Sequence, residues 1–360
     1  MRSPVSMRAP LLLGCVVALV ACSADTVPAG LRATPAGSGP WVVFDLMHSP
    51  LPDIPQPNDI ATFPDPSSRT GRRIEASLVA PTNMEATARA EFDEMEGWGT
   101  TAPITVHFTP EAGAAPLAAA IDLEDLRLRM QADGWDTSND AVYVVNLTTG
   151  VPALLELGQG DFPTTVLSPW DYYPNDPRAS SQNLYVETQE EGAGLPQSAY
   201  TPALDTDFDG VLDHPDTLAS QATGPGAIAG IDDVLGWYER ETDTLMLRPL
   251  LPLEEKTEYA VVLTDRLHGP DGQAVRSPFP EVYHPGQRAG VERLQAILSD
   301  ATRAGYYGDI AGTGLDHVAF AWTFTTEPVA EDMVLLRDGL YGQGPFARIA
   351  SQFPPAATLY

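Results

Sequence analysis

Ile104-Thr105-Val106-His107-Phe108 alternates apolar and polar side chains, the period-two pattern of a strand with one face buried. Working outward, Trp41-Val42-Val43-Phe44 reads as an earlier strand. Ala141 to Leu147 is a continuous apolar run ending in the turn Thr148-Thr149-Gly150, with Leu154 to Leu157 as its partner across that turn. Leu123 to Met130 also reads as a strand, with Leu126, Leu128 and Met130 on one side. Leu235 to Glu239, Thr244 to Leu250, Glu258 to Leu267 and Val318 to Thr326 complete the set, with turn signals at Glu241-Thr242-Asp243 and Pro252. Short strands separated by polar, Pro- and Gly-containing breaks predict a mainly β, antiparallel sandwich.

A few short helices accompany the strands. Met84 to Glu96 has helical spacing, with Met84, Ala88, Phe92 and Met95 on one side. Val291 to Ala304 places Val291, Leu294, Ile297 and Leu298 on one face, and Ala330 to Leu340 is a third helical stretch. The proline-rich stretch Leu51 to Asp65 argues against regular structure there. No internal repeat of fixed period is visible.

Composition bounds the rest. The chain has 360 residues, 43% hydrophobic and 19% charged, which is too apolar for a disordered protein and long enough for two or three modules. Its net charge is −29, and Lys256 is its single lysine. Such a surface repels phosphate backbones, so nucleic acid is excluded as a partner.

The N-terminus reads as an export address. Arg2 and Arg8 precede the apolar run Leu11 to Ala21, which is about half the length of a membrane-spanning helix and fits a secretory signal. Leu19-Val20-Ala21-Cys22 resembles the lipobox of bacterial lipoproteins. That resemblance implies a signal peptide at 1–21, cleavage before Cys22, and a diacylglycerol on its sulfur as a membrane anchor. Ser23, where an aspartate favours inner-membrane retention, points to the outer membrane or cell surface. Both cysteines, Cys15 and Cys22, fall in this region, so a mature chain acylated at Cys22 has no disulfide to stabilise it. Residues 22–40, rich in Ala, Pro, Gly, Ser and Thr, read as a flexible tether. The β-rich body is then 41–327, as one or two sandwich modules, and 328–360 is a helical C-terminal segment.

The strongest chemical signal is Asp205-Thr206-Asp207-Phe208-Asp209-Gly210-Val211-Leu212-Asp213-His214-Pro215-Asp216. Asp205, Asp207, Asp209, Asp213 and Asp216 supply carboxylates at loop positions 1, 3, 5, 9 and 12, Val211 offers a backbone carbonyl at 7, and Gly210 sits at the sharp turn. Ca2+ takes six to eight oxygens, and this spacing lets one short loop wrap around it. Five carboxylates crowded together without a cation would repel one another. The alternative is an exposed acidic loop, which has no need of glycine at position 6. Position 12 is Asp where an EF-hand has Glu, and the loop resembles the aspartate-rich calcium loops of thrombospondin type 3 and dockerin repeats. A structural role for the ion follows.

A catalytic centre is not displayed. The chain contains no Gly-x-Ser-x-Gly elbow, His-Glu-x-x-His helix, phosphate-binding loop or dinucleotide fingerprint. His48, His107, His214, His268, His284 and His317 occur singly and read as structural. Carboxylates are numerous enough that an acid and base pair for glycoside hydrolysis remains open. Trp98, Trp135, Trp170, Tyr172 and Tyr173 fit either a ligand groove or the core and its rim.

Three stretches carry a family resemblance. Ile54-Pro55-Gln56-Pro57-Asn58-Asp59, then Glu96-Gly97-Trp98-Gly99-Thr100-Thr101-Ala102-Pro103-Ile104-Thr105-Val106, are similar to the N-terminal region of large bacterial extracellular lipases, the Vibrio-type outer-membrane lysophospholipase lipoproteins among them. Leu247-Arg248-Pro249-Leu250-Leu251-Pro252-Leu253 with Tyr259-Ala260-Val261-Val262-Leu263 and Trp322-Thr323-Phe324-Thr325-Thr326 is similar to the same region and also to bacterial Ig-like domains. The resemblance spans about residues 40 to 345 and implies an Ig-like β-sandwich. In that family an α/β-hydrolase domain follows, whereas this sequence stops at Tyr360, shortly after Phe353-Pro354-Pro355. No catalytic residue carries over. The expectation is a noncatalytic, calcium-stabilised, lipid-anchored module of a surface lipase or esterase, its hydrolase domain separate or lost. A free-standing adhesion or ligand-binding lipoprotein, and an independent carboxylate-based hydrolase, are the competing readings.

Overall fold

The computed structural model describes residues 31–49, 51–76, 78–109, 119–131, 135–157, 237–240 and 242–353. Ten strands and six α-helices occur among them. The strands are β1 (Trp41–Val42), β2 (Thr62–Pro64), β3 (Arg72–Ile74), β4 (Ile104–Thr109), β5 (Val142–Asn146), β6 (Leu155–Glu156), β7 (Tyr238–Glu239), β8 (Thr244–Pro249), β9 (Glu258–Thr264) and β10 (Val318–Thr325). The helices are α1 (Asn83–Phe92), α2 (Leu123–Gln131), α3 (Arg288–Leu298), α4 (Ala304–Tyr307), α5 (Ala330–Leu340) and α6 (Ile349–Gln352). Among the described residues helix accounts for 28% and strand for 25%, so short helices supply as much regular structure as the strands. Among the described residues no helix is long and apolar enough to cross a membrane.

Every pairing between named strands is antiparallel. One sheet runs β1-β4-β8-β6, with β7 also on β8; a second runs β10-β9-β5; β2 and β3 form a separate ribbon. The alternation in β4 does what its period requires: Ile104, Val106 and Phe108 are buried while Thr105 and His107 are only partly so. Leu245 and Leu247 of β8 lie beside them, in the register Ile104↔Leu247 and Val106↔Leu245. These side chains share one hydrophobic cluster with Val142 and Val144 of β5, Tyr259, Val261 and Leu263 of β9, and Phe320, Trp322 and Phe324 of β10. The two sheets therefore meet over a common core.

The second sheet is covered on its other face as well. Tyr143, Val145, Ala260, Val262, Val318 and Ala321 pack against Val291, Leu294 and Leu298 of α3 and against Tyr307, Ile310 and Leu315 beyond it. This explains the continuous apolar runs at 141–147 and 318–326: a strand covered on both faces has no face left for polar side chains. The helix predicted over Val291 to Ala304 breaks at Ser299 and resumes as a short 3-10 turn, where the Asp300 side chain accepts from Thr302 N, before α4.

Four sequence expectations are corrected. Leu123 to Met130 is helix rather than strand. Leu123, Leu126 and Met130 are buried at helical spacing, Leu128 is 50% exposed, and Asp122 caps the N-terminus by accepting from Asp125 N at 3.0 Å. Alternate leucines at 126 and 128 mimic a strand, but the core admits only the three residues on one helical face. Leu154 to Leu157 is not the partner of β5: the contacts across the turn come from the residues before it, through Asn146 N→Val151 O, Val145↔Pro152 and Ala153 N→Val144 O, and the chain then crosses to the other sheet, where β6 joins β8. The proline-rich 51–65 stretch ends in β2, whose Pro64 is tolerated at the end of a two-stranded ribbon. Residues 31–40 of the expected tether lie against the body: Thr34 N donates to Pro280 O, Val282 N to Arg32 O, and Arg32 Nη1 to Leu315 O and Val318 O. Helix α1 forms where its spacing predicts, yet Met84 is 83% exposed and Phe92 48% exposed, so its apolar side does not enter the core.

Candidate functional site

The six residues of the calcium-loop reading, Asp205, Asp207, Asp209, Val211, Asp213 and Asp216, lie outside the described residues, as do Cys22, His214, Trp170, Tyr172 and Tyr173. What the structure does place are the two described strands that flank 158–236. Both β6 before it and β7 after it pair with β8, so the described chain stops and resumes beside one strand. The re-entry is fixed by a buried polar knot. Asp243, with φ 51°, accepts from Tyr238 Oη and from Ala120 N, both at 2.9 Å, while its carbonyl accepts from Phe108 N. Among the described residues no group of three or more His, Cys, Asp or Glu side chains is arranged to hold a metal ion.

The motif stretches converge on the end of the two-sheet core. Gln56 exchanges backbone hydrogen bonds with Thr105 of β4, at 2.9 and 2.7 Å. The next residue binds the opposite sheet, Trp322 Nε1 of β10 donating to Pro57 O at 2.9 Å. Asn58 is fully buried; its Oδ1 accepts from Gln287 Nε2 at 2.8 Å, which also reaches Thr323 O at 2.9 Å. Asp59 accepts from Thr325 N at 2.9 Å and from Thr325 Oγ1 at 2.8 Å. Four consecutive residues thus tie one sheet to the other. Asp59 suits the place because its short side chain satisfies the N–H of Thr325 at the strand end, and Asn58 because its Oδ1 also caps the following turn by accepting from Ile60 N.

Burial pushes the Asp59 carboxyl up to about 6. Arg72, with Nε 3.5 Å away, and the two Thr325 donors oppose that rise without cancelling it, and the nearby Glu258 adds to it. Burial wins because a carboxylate loses more hydration there than these partners return.

The second motif stretch meets the same strand end. Trp98 N donates to Thr325 O at 2.8 Å, and Glu327 N donates to Trp98 O at 2.9 Å. Gly97 is obligatory: its φ is 147°, and a Cβ there would stand 2.8 Å from Thr325 O. From this contact the chain runs through Thr100, whose carbonyl accepts from Leu253 N, into β4. The spacing rules of a single strand or helix carry no signal of this meeting of residues 57, 98 and 325.

Five of the six histidines are described, and each is engaged. His107 Nδ1 lies 2.8 Å from Asp53 Oδ2, His268 Nε2 lies 3.1 Å from Asp125 Oδ2, and His317 Nδ1 lies 2.9 Å from Asp265 Oδ2. His284 packs between Phe44 and Phe279 and accepts from Gly286 N, and burial lowers its pKa. His48 Nδ1 is 2.9 Å from Leu51 O. An Asp–His pair orients an imidazole as a hydrolase does, and its chemistry then depends on a nucleophile at the second nitrogen. Among the described residues no hydroxyl or thiol is hydrogen-bonded to these rings. Trp98 packs against the core and Trp135 is 43% exposed, so the two described members of the aromatic set do not form one groove.

No protein-family model, curated protein or solved structure matches the chain.

Proposed function

We propose that this chain is a noncatalytic, lipid-anchored, calcium-stabilised module of a cell-surface lipase or esterase, built as an Ig-like sandwich, with the hydrolase chemistry supplied by a separate domain. The observation that carries this reading is the convergence on β10. Stretches separated by more than 200 residues and quoted for one family resemblance meet through Pro57–Trp322, Asp59–Thr325 and Trp98–Thr325. A second support is the C-terminal helical pair α5 and α6. It encloses a cleft of about 660 Å³ lined by Met333, Leu336, Leu340, Ile349 and Phe353, and it leaves Met333 66% and Phe353 67% exposed.

In this reading the ion closes the 205–216 loop and adds stability in proportion to the logarithm of its concentration over its dissociation constant. Adding calcium at a hundred times that constant should raise unfolding free energy by about 2.7 kcal/mol over the chelated protein. Asp205→Ala or Asp209→Ala should abolish the difference. Identical melting in EDTA and in millimolar calcium would remove the metal from the proposal. For the activity, the purified chain should not hydrolyse short- or long-chain p-nitrophenyl esters. The adjoining reading frame should encode a hydrolase carrying Gly-x-Ser-x-Gly; an unrelated neighbour would favour the adhesion reading, and ester turnover by the chain itself would overturn both. Metabolic labelling with palmitate, lost in Cys22→Ser, tests the anchor.

A further inference from the structure

A cavity of about 220 Å³ lies between the N-terminal segment and the loop at 273–276 and shares no residue with the Asp59 clamp. Three charged side chains line it: Arg32, Arg276 and Asp265. Each is held by partners within the fold. Arg32 Nη1 is fixed by Leu315 O at 3.1 Å and Val318 O at 2.9 Å. Arg276 Nη1 donates to Gly37 O at 2.8 Å, and its guanidinium lies 3.7 Å over the Trp41 ring. Asp265 Oδ2 is paired with His317 Nδ1.

Arg32 is half withdrawn from water, and that burial lowers its pKa despite the nearby Asp265 and Asp316. Two guanidinium groups and one carboxylate thus line one small space, with Val275 and Ala319 supplying apolar wall. Guanidinium groups bind carboxylates in paired N–H···O geometry, and a carboxylate accepts an ammonium. The volume is below the roughly 300–1,000 Å³ of sites for drug-sized ligands, so the occupant is small.

We propose that this cavity binds a small aliphatic α-amino acid, its carboxylate on Arg32 and Arg276 and its ammonium on Asp265. The contacts are already set before binding, which reduces the ordering cost that weakens most small ligands. The side-chain methyl or branched group of the ligand would rest on Val275 and Ala319.

Calorimetric titration of the purified full-length chain with L-alanine, acetate and ethylammonium tests this. L-Alanine should bind at least about tenfold more tightly than either half-ligand, because each lacks one charge-assisted contact. Arg276→Gln should weaken L-alanine by a further factor of about ten or more. Since Arg276 also stacks on Trp41, the decisive variant is Asp265→Asn, which keeps the side-chain volume and should reduce the preference for L-alanine over acetate to near unity. No heat with any of the three probes, or a preference unchanged in Asp265→Asn, would overturn the proposal. Neither result bears on ester hydrolysis or on calcium.

Discussion

The two sheets use the same pairing and differ in what covers them. Sheet β10-β9-β5 is covered on both faces, by the partner sheet and by α3, and all eight residues of β10 are buried. Sheet β1-β4-β8-β6 gives one face to the core and leaves Thr105, His107, Thr244 and Met246 half-buried on the other. The doubly covered sheet is where the chain concentrates its aromatic volume, with Phe320, Trp322 and Phe324 on successive core-facing positions. It is also where the buried polar clamp attaches. The doubly covered sheet carries the Asp59 clamp, and the other carries the Asp243 knot and the two strands, β6 and β7, that flank residues 158–236.

That difference can be broken most severely at Trp322. It is fully buried, stacks on Phe320 and donates to Pro57 O, so Trp322→Ala should cost about 3–5 kcal/mol in urea unfolding. Met246→Ala on the half-buried face should cost less than about 1 kcal/mol. Equal losses at the two positions would mean that the sheets do not differ in the way their burial indicates.

Asp59 sharpens the contrast through pH. Its folded-state pKa is raised, so between its ordinary value near 4 and about 6 the folded chain holds a proton that the unfolded chain has released. The contribution is therefore complete below about pH 4 and is lost as pH rises through about 6, a change on the order of 2–3 kcal/mol. Asp59→Asn should flatten that part of the stability–pH curve. Urea midpoints of the two proteins from pH 4 to 7 measure it, and parallel curves would refute the burial argument.

The smallest effect concerns α2, which plugs the shared core through Leu123, Leu126 and Met130. Leu128→Ser, on the exposed side, should change stability by less than about 0.5 kcal/mol. Leu126→Ala, on the buried side, should cost about 2–5 kcal/mol. If the two substitutions were equally costly, residues 123–130 would be packing as a strand after all.

The strands that proved legible were those whose burial is simple. Ile104 to Thr109 alternates because one face is wet, and Val318 to Thr325 does not because neither face is, and both patterns survive in the order of residues. Leu123 to Met130 misled because Leu126, Leu128 and Met130 fit period two as well as Leu123, Leu126 and Met130 fit the helical period; the tie is broken by the shape of the core and by the Asp122 cap. Residues 31–40 looked like a tether because Pro, Gly, Ala and Thr signal freedom in isolation. Arg32 overrides that signal by reaching two carbonyls about 285 positions away.

The amino-acid order by itself determined the antiparallel strands, the helical face of 291–298 and the expectation of an export signal and an acidic loop, because each rests on neighbours a few residues apart. Only the tertiary structure decided that Pro57, Trp98 and Thr325 form one clamp and that Arg32, Arg276 and Asp265 share one cavity. Those relations depend on which chain segments pass close together in space. Local periodicity carries no record of that, since the free energy that fixes it comes from burying distant residues against one another.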